Sequence, residues 1–212
     1  MDLYYHIIPP TSRAILVLAN ILKLKLNLIS IDTKDANEME MLSKINPLQS
    51  LPTLVDGEIV VGESHTVLIY LAEKFDKAGT LYPVDQSKRT KINECLFFDT
   101  NMYKCFVAYS MPVVLKGMEP NEELMEKLLV CVRTFDRYLE NRSYAACDHL
   151  TVADVSLFQT IAALAVIDIQ KADYANVNRW YEKVHSEMTG SDEFQAQCER
   201  ALRAFLAKQL PN

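Results

Sequence analysis

Every strand-like run in this chain of 212 residues lies within its first 61 positions. That distribution excludes folds that spread sheet along the whole chain, and it points to two structural units. Leu3-Tyr4-Tyr5-His6-Ile7-Ile8 is short, aromatic and β-branched, which predicts a strand. Pro9-Pro10 ends it, and Thr11 or Ser12 is placed to cap a helix carrying Ile15, Leu16, Leu18, Ala19 and Leu22. Leu26 to Ile31 alternates as a second strand, and Asp35 to Ile45 carries a weak helical pattern. Thr53-Leu54-Val55 and Ile59-Val60-Val61 flank Asp56-Gly57, a strong hairpin signal. From about Ser64, Val67, Leu68, Leu71 and Phe75 recur at helical spacing. The order β-α-β-α-β-β-α implies a mixed sheet with a right-handed first crossover.

Beyond Gly79 the pattern changes. Leu81-Tyr82-Pro83 reads as a linker, and from residue 86 only helical periodicity remains. Phe97, Phe98, Asn101, Met102, Cys105 and Phe106 share one helix ahead of Pro112. Leu124, Leu128, Val132 and Phe135 mark another, between Glu122 and Tyr138. Thr151-x-x-Asp154 is a capping box, with Leu150 and Val155 placed as its staple. The helix it starts is apolar nearly all round, so it should be buried. Arg179-Trp180-Tyr181 and the set Phe194, Cys198, Leu202, Phe205 mark two more helices. The predicted architecture is an α/β domain over 1–77, a linker over 78–85 and an all-α domain over 86–212.

Composition narrows the function. Lys plus Arg number 22 against 28 Asp plus Glu, a net charge of −6, which disfavours a nucleic-acid partner. Five cysteines form no CxxC pair, and none lies before Cys95, so reduced thiols are expected rather than disulfides or a metal site. No signal peptide and no apolar run of membrane-spanning length is seen, so a cytoplasmic protein is expected and no membrane partner.

Two local features can carry chemistry. Pro52 heads a strand, where it cannot donate to the ladder. It is either a plain strand-start proline or a cis Leu51-Pro52 bond, and the second leaves the Leu51 backbone free to pair with an extended peptide. Glu63-Ser64 sits where the second hairpin strand gives way to a helix. Ser64 is either an ordinary N-cap or, with free N–H groups and the helix dipole, a carboxylate site. Glu63 beside it can accept an ammonium.

The order of these pieces resembles cytosolic glutathione transferases. Leu3-Tyr4-Tyr5, the proline loop to Arg13, Ile45-Asn46-Pro47, Leu51-Pro52-Thr53-Leu54, Glu63-Ser64-His65, Tyr70-Leu71 and Leu81-Tyr82-Pro83 match the N-terminal domain. Tyr144-Ala145-Ala146, Leu150 to Asp154 and Tyr174 to Tyr181 look like the helical domain of the insect delta and epsilon classes. The resemblance implies a thioredoxin-like first domain that binds glutathione as co-substrate. It implies a helical domain with a hydrophobic acceptor site, and a homodimer. Pro52 falls at the family's cis-proline, with Ser50 and Leu51 before it, Leu51 pairing with the cysteinyl part of glutathione. Glu63 and Ser64 hold its γ-glutamyl end. His65 stands where Arg is usual. Gln49 and Asn37 stand where His is usual near the glycyl carboxylate. Asp99 matches an acidic residue that reaches the glutathione of the neighbouring subunit.

The departure is at the catalytic hydroxyl. These classes carry a Ser shortly before the residue matching Arg13; here Pro9 stands there, or Ile8 if one insertion is allowed. Neither donates a hydrogen bond. A thiol with pKa near 8.5 is only about 3% ionised at pH 7, and a shift of about 2 units, roughly 2.7 kcal/mol, raises that to about 75%. Ser12 is the candidate catalytic donor and Thr11 its neighbour; Tyr5 is a nearby phenol that strand alternation buries. By the same resemblance Ile8, Pro10, Met102, Tyr103, Phe106, Met111, Val114 and Phe205 line the acceptor pocket. The implied activity is conjugation of the glutathione thiol to hydrophobic electrophiles, a detoxification role. The alternative is a glutathione-dependent carrier of hydrophobic ligands with little turnover.

Overall fold

The computed structural model describes residues 1–188 and residue 200. Gly57 takes φ 62°, which the tight Asp-Gly turn requires, and it joins β3 (Thr53–Asp56) to β4 (Ile59–Val61). β1 (Asp2–Tyr5) runs antiparallel to β3 and parallel to β2 (Asn27–Ser30), giving the sheet order β2-β1-β3-β4. The mixed sheet is as the pattern predicts. Helices α1 (Pro10–Ile21), α2 (Ala36–Ile45) and α3 (Ser64–Phe75) alternate with the strands. Leu3, Ile15, Leu18, Leu54, Leu68 and Leu71 are fully buried in its core.

Two local expectations are corrected. β1 stops at Tyr5 rather than Ile8, because the Ile8 N–H bonds to His6 Nδ1 at 3.3 Å instead of a strand, and Pro9 and Pro10 have no N–H. α1 starts at Pro10 with Pro9 as its N-cap, so Thr11 and Ser12 lie inside the helix and cap nothing. Proline suits that first helical position because its N–H would have no partner there anyway.

The rest is helical: α4 (Gln86–Lys116), α5 (Glu122–Tyr138), α6 (Val152–Ala163) and α7 (Ala175–Glu187). α4 runs through Pro112 instead of ending before it. It stops where Gly117 turns left-handed at φ 59°, with Gly117 N bonding Val113 O and Met118 N bonding Pro112 O. The Thr151–Asp154 capping box forms as the spacing predicts, and eleven of the twelve α6 residues are buried. α1 packs broadly on α6, so α6 is both the centre of the helical part and the floor under the α/β part. Trp180 meets Phe135 edge-on at 5.1 Å. The stretch between α3 and α4 is pinned: Leu81 and Tyr82 are buried, and the Leu81 carbonyl accepts from Val152 N at 3.0 Å. The fourth helical set, Phe194 to Phe205, lies outside the described residues.

Candidate functional site

The turn from α2 into β3 is held by one side chain. Asn46 Nδ2 donates to Thr53 Oγ1 (2.9 Å) and Ser50 Oγ (3.2 Å), while its Oδ1 accepts from Leu48 N (3.0 Å). Ser50 Oγ donates to the Gly62 carbonyl at 2.7 Å, stitching this turn to the end of β4. A Cβ on Gly62 would stand 2.4 Å from Asn46 Nδ2 and 2.9 Å from Ser50 Oγ, so only glycine permits that approach. The Leu51-Pro52 bond is cis. The ladders stop at Tyr4–Thr53 on one side and Leu54–Val61 on the other. Leu51 therefore keeps its backbone N–H and C=O without a backbone partner among the described residues.

Gly62 delivers the chain into α3 beside this edge. Glu63, not Ser64, is the N-cap; no side chain caps the helix, and Ser64 is its first residue. An unpaired strand edge thus lies against a helix start with uncapped N–H groups. That arrangement can take the backbone of an extended peptide and a carboxylate together. Ser50, Leu51, Pro52, Glu63 and Ser64 converge here. Gln49, at φ 51°, and Asn37, on the first turn of α2, are exposed.

His65 faces elsewhere. Its Nε2 lies 3.0 Å from Asp99 Oδ2 and 2.9 Å from Ser156 Oγ, and its Nδ1 3.1 Å from Thr100 Oγ1. Both ring nitrogens are taken by α4 and α6, so His65 ties α3 to the helical part instead of reaching a ligand carboxylate. Asp99 is 3% exposed, and Ser156 donates to its Oδ2 at 2.6 Å. It acts within its own chain, because a carboxylate so enclosed cannot extend to another subunit.

Ser12 is also displaced from its expected role. It is 0% exposed, with Oγ sealed in the α1 packing, so no incoming thiol can touch it. Arg13, also buried, directs Nη2 to the Gln159 carbonyl of α6 at 3.5 Å. Ile8 and Pro9 are half-buried, and Tyr5 packs on the core.

Of the expected pocket walls, Pro10 and Met102 are buried in the core and offer no lining surface. Phe106 is nearly buried and stacks with Tyr103 at 6.4 Å. Tyr103 faces Thr11, and burial pushes its phenol up, so it stays protonated at neutral pH. Met111 is exposed and Val114 half-buried. Phe205 lies outside the described residues. Cys95, Cys105, Cys131 and Cys147 are free thiols, and burial pushes Cys95 and Cys131 each up to about 11. Among the described residues no group of side chains is arranged to hold a metal ion, and no helix is long and apolar enough to cross a membrane.

His6 carries no sequence signal beyond its place at a strand end. In the structure it is half-buried at the bend that leads to α1, where its Nδ1 accepts from Ile8 N at 3.3 Å.

Comparison with known proteins bears on family and fold. Residues 1–73 match the family model for the glutathione S-transferase N-terminal domain, and residues 109–189 match a glutathione S-transferase C-terminal domain. The chain is 32% identical over 212 residues to glutathione S-transferase D6 of Drosophila melanogaster, covering 99% of this chain and 98% of that protein. It superposes on glutathione S-transferase 1-6 from Anopheles dirus species B with TM-score 0.91 and 37% identity, over 98% of this chain and 100% of that one. A delta-class glutathione transferase of Nilaparvata lugens gives TM-score 0.91 at 29% identity, over 99% of each chain.

Proposed function

This chain belongs to the glutathione S-transferase family, and from that premise we propose that it joins the glutathione thiol to apolar electrophiles as a cytoplasmic homodimer serving detoxification. The observation that carries the reading is the unpaired Leu51 backbone clamped through Gly62 against the uncapped start of α3. Glutathione is an extended anionic tripeptide, and each of its parts has a complement here. Its cysteinyl backbone pairs with Leu51 as one more strand. Its γ-glutamyl carboxylate meets the N–H groups and dipole at Ser64, and Glu63 takes its ammonium. Gln49 and Asn37 remain as uncharged donors for the glycyl end.

Held in this way, the sulfur faces the bend after β1 and the Tyr103–Phe106 stack of α4. The thiol loses its proton, the sulfur attacks the electrophilic carbon, and the C–S bond forms as the leaving group departs with its electron pair. Fixing both reactants removes the entropy of a bimolecular encounter.

The dimer reading is supported by Phe97, which stands 76% exposed on α4. Next to it is a cleft of about 140 Å³ between α4 and α5, walled by Phe98, Thr134, Phe135 and Tyr138. A knob beside a hole on one face suits a two-fold contact, each copy filling the other.

Calorimetry with glutathione, followed by turnover of an aryl halide, tests the reading. Uptake at millimolar or lower concentration with conjugate formation is the expected result. No uptake overturns it. Uptake without turnover favours the carrier role, which the absence of a hydroxyl at Pro9 and the burial of Ser12 also favour.

A further inference from the structure

The segment between β1 and α1 has few side-chain donors left, and one of them stands apart. Of the four N–H groups that normally open a helix start, Pro9 and Pro10 remove two and leave those of Thr11 and Ser12. The Ile8 N–H is spent on His6 Nδ1, Ser12 Oγ is buried, and Thr11 is turned to Tyr103. What remains with a side-chain hydrogen to offer is the imidazole of His6. Because Nδ1 accepts from Ile8 N at 3.3 Å, the ring proton of the neutral form resides on Nε2. Nε2 has no hydrogen-bond partner among the described residues. Burial pushes His6 below its usual 6.5, and Asp32 opposes this only in part, so the ring is neutral at pH 7 and Nε2 is a fixed donor.

Its position follows from strand register. β1 and β3 pair Asp2 with Val55, Leu3 with Leu54 and Tyr4 with Thr53. His6 follows β1 two residues past its last pair and Leu51 precedes β3 by two, so both leave the same end of this ladder. A cysteinyl residue docked on Leu51 is therefore bordered by His6 where β1 bends out of the sheet.

We propose that His6 Nε2–H is the hydrogen-bond donor that stabilises the glutathione thiolate in this enzyme, taking the place of the hydroxyl absent at Pro9. This rests on the glutathione site described above. The thiol proton passes to solvent, the thiolate is held by the Nε2–H, and the sulfur lone pair forms the new C–S bond as the leaving group takes the electron pair of the bond that breaks. His6 itself is neither oxidised nor alkylated and keeps its proton throughout.

The test compares wild type, His6→Leu and His6→Gln by the ultraviolet absorbance of the bound thiolate against pH, by glutathione affinity and by turnover. The expected result is a thiol pKa in His6→Leu raised by about one unit or more, which lowers thiolate at pH 6.5 roughly tenfold. Turnover should fall by a similar factor while the dissociation constant for glutathione changes less than about threefold. Gln, whose amide still donates, should recover most of the loss. An unchanged thiol pKa in His6→Leu with glutathione bound overturns the proposal, as does a wild-type value equal to that of free glutathione. Absence of glutathione uptake by the wild type would instead remove the underlying site, and the proposal with it. Matching circular dichroism and glutathione affinity across the three proteins exclude misfolding as the cause.

Discussion

Asp154 concentrates more of this fold on one side chain than any other polar residue described above. It is fully buried, and its two oxygens accept four hydrogen bonds. Oδ1 takes Ala145 N at 2.7 Å and Trp180 Nε1 at 2.9 Å; Oδ2 takes Thr151 N and Thr151 Oγ1, both at 3.0 Å. The loop before α6, the start of α6 and the core of α7 thus meet at one carboxylate. Asp154→Ala leaves three buried N–H donors without partners, each worth about 1–3 kcal/mol. The Thr151 hydroxyl loses its partner too but can turn. The sum is about 5 kcal/mol, comparable to the whole stability of a typical domain at roughly 5–15 kcal/mol. Asp154→Asn should be milder. Its oxygen can serve Ala145 and Trp180, and its NH2 can donate to a reoriented Thr151 hydroxyl, leaving only Thr151 N–H unpaired. About 1–3 kcal/mol is then expected. Urea unfolding followed by circular dichroism, at fixed protein concentration because the stability of the proposed dimer would depend on it, measures both. An Ala variant that costs less than about 1 kcal/mol, or an Asn variant as damaged as Ala, would refute the reasoning.

Other perturbations test other links. Gly62→Ala puts a methyl 2.4 Å from Asn46 Nδ2 and must open the clamp; calorimetry should show glutathione affinity at least roughly tenfold weaker, with the fold intact by circular dichroism. Phe97→Asp places a charge in the proposed two-fold contact, and sedimentation should report monomers where wild type gives dimers. The Asp56 carboxyl is held below its usual 3.8 by hydrogen bonds from Lys74 and then Tyr70, which join the end of β3 to α3. A lowered carboxylate pKa stabilises the fold above about pH 4, and that contribution is lost as pH falls through the folded-state value. Asp56→Asn should therefore flatten the acid limb of the stability profile while wild type and variant converge at the lowest pH; parallel limbs would contradict the pairing.

Much of the fold was legible in the sequence because its signals are local. The Asp56-Gly57 turn and the Thr151–Asp154 capping box each depend on two to four adjacent residues. Short-range geometry alone leaves them few alternatives. Ser50 to Pro52 and Glu63-Ser64 came as site candidates through the family resemblance, since taken alone they also read as a strand-start proline and a helix cap. Gly62 did not, because its necessity lies in Asn46 and Ser50, which approach it from another turn. His65 and Asp99 read as ligand contacts from their place in the chain, yet α4 and α6 offer Thr100, Asp99 and Ser156 as nearer partners, and the imidazole is consumed there.

By itself, the order of residues determined the mixed sheet, the hairpin turn, the capping box and the change to helical periodicity after Gly79. Those are matters of backbone preference, which neighbours along the chain decide. Only tertiary packing decided that Ser12 is fully buried, that Met102 is interior, that α4 continues past Pro112, and that His6 Nδ1 is taken by Ile8 N. The physical reason is that access and hydrogen-bond competition are properties of the space around a side chain, and that space is built by residues distant in sequence.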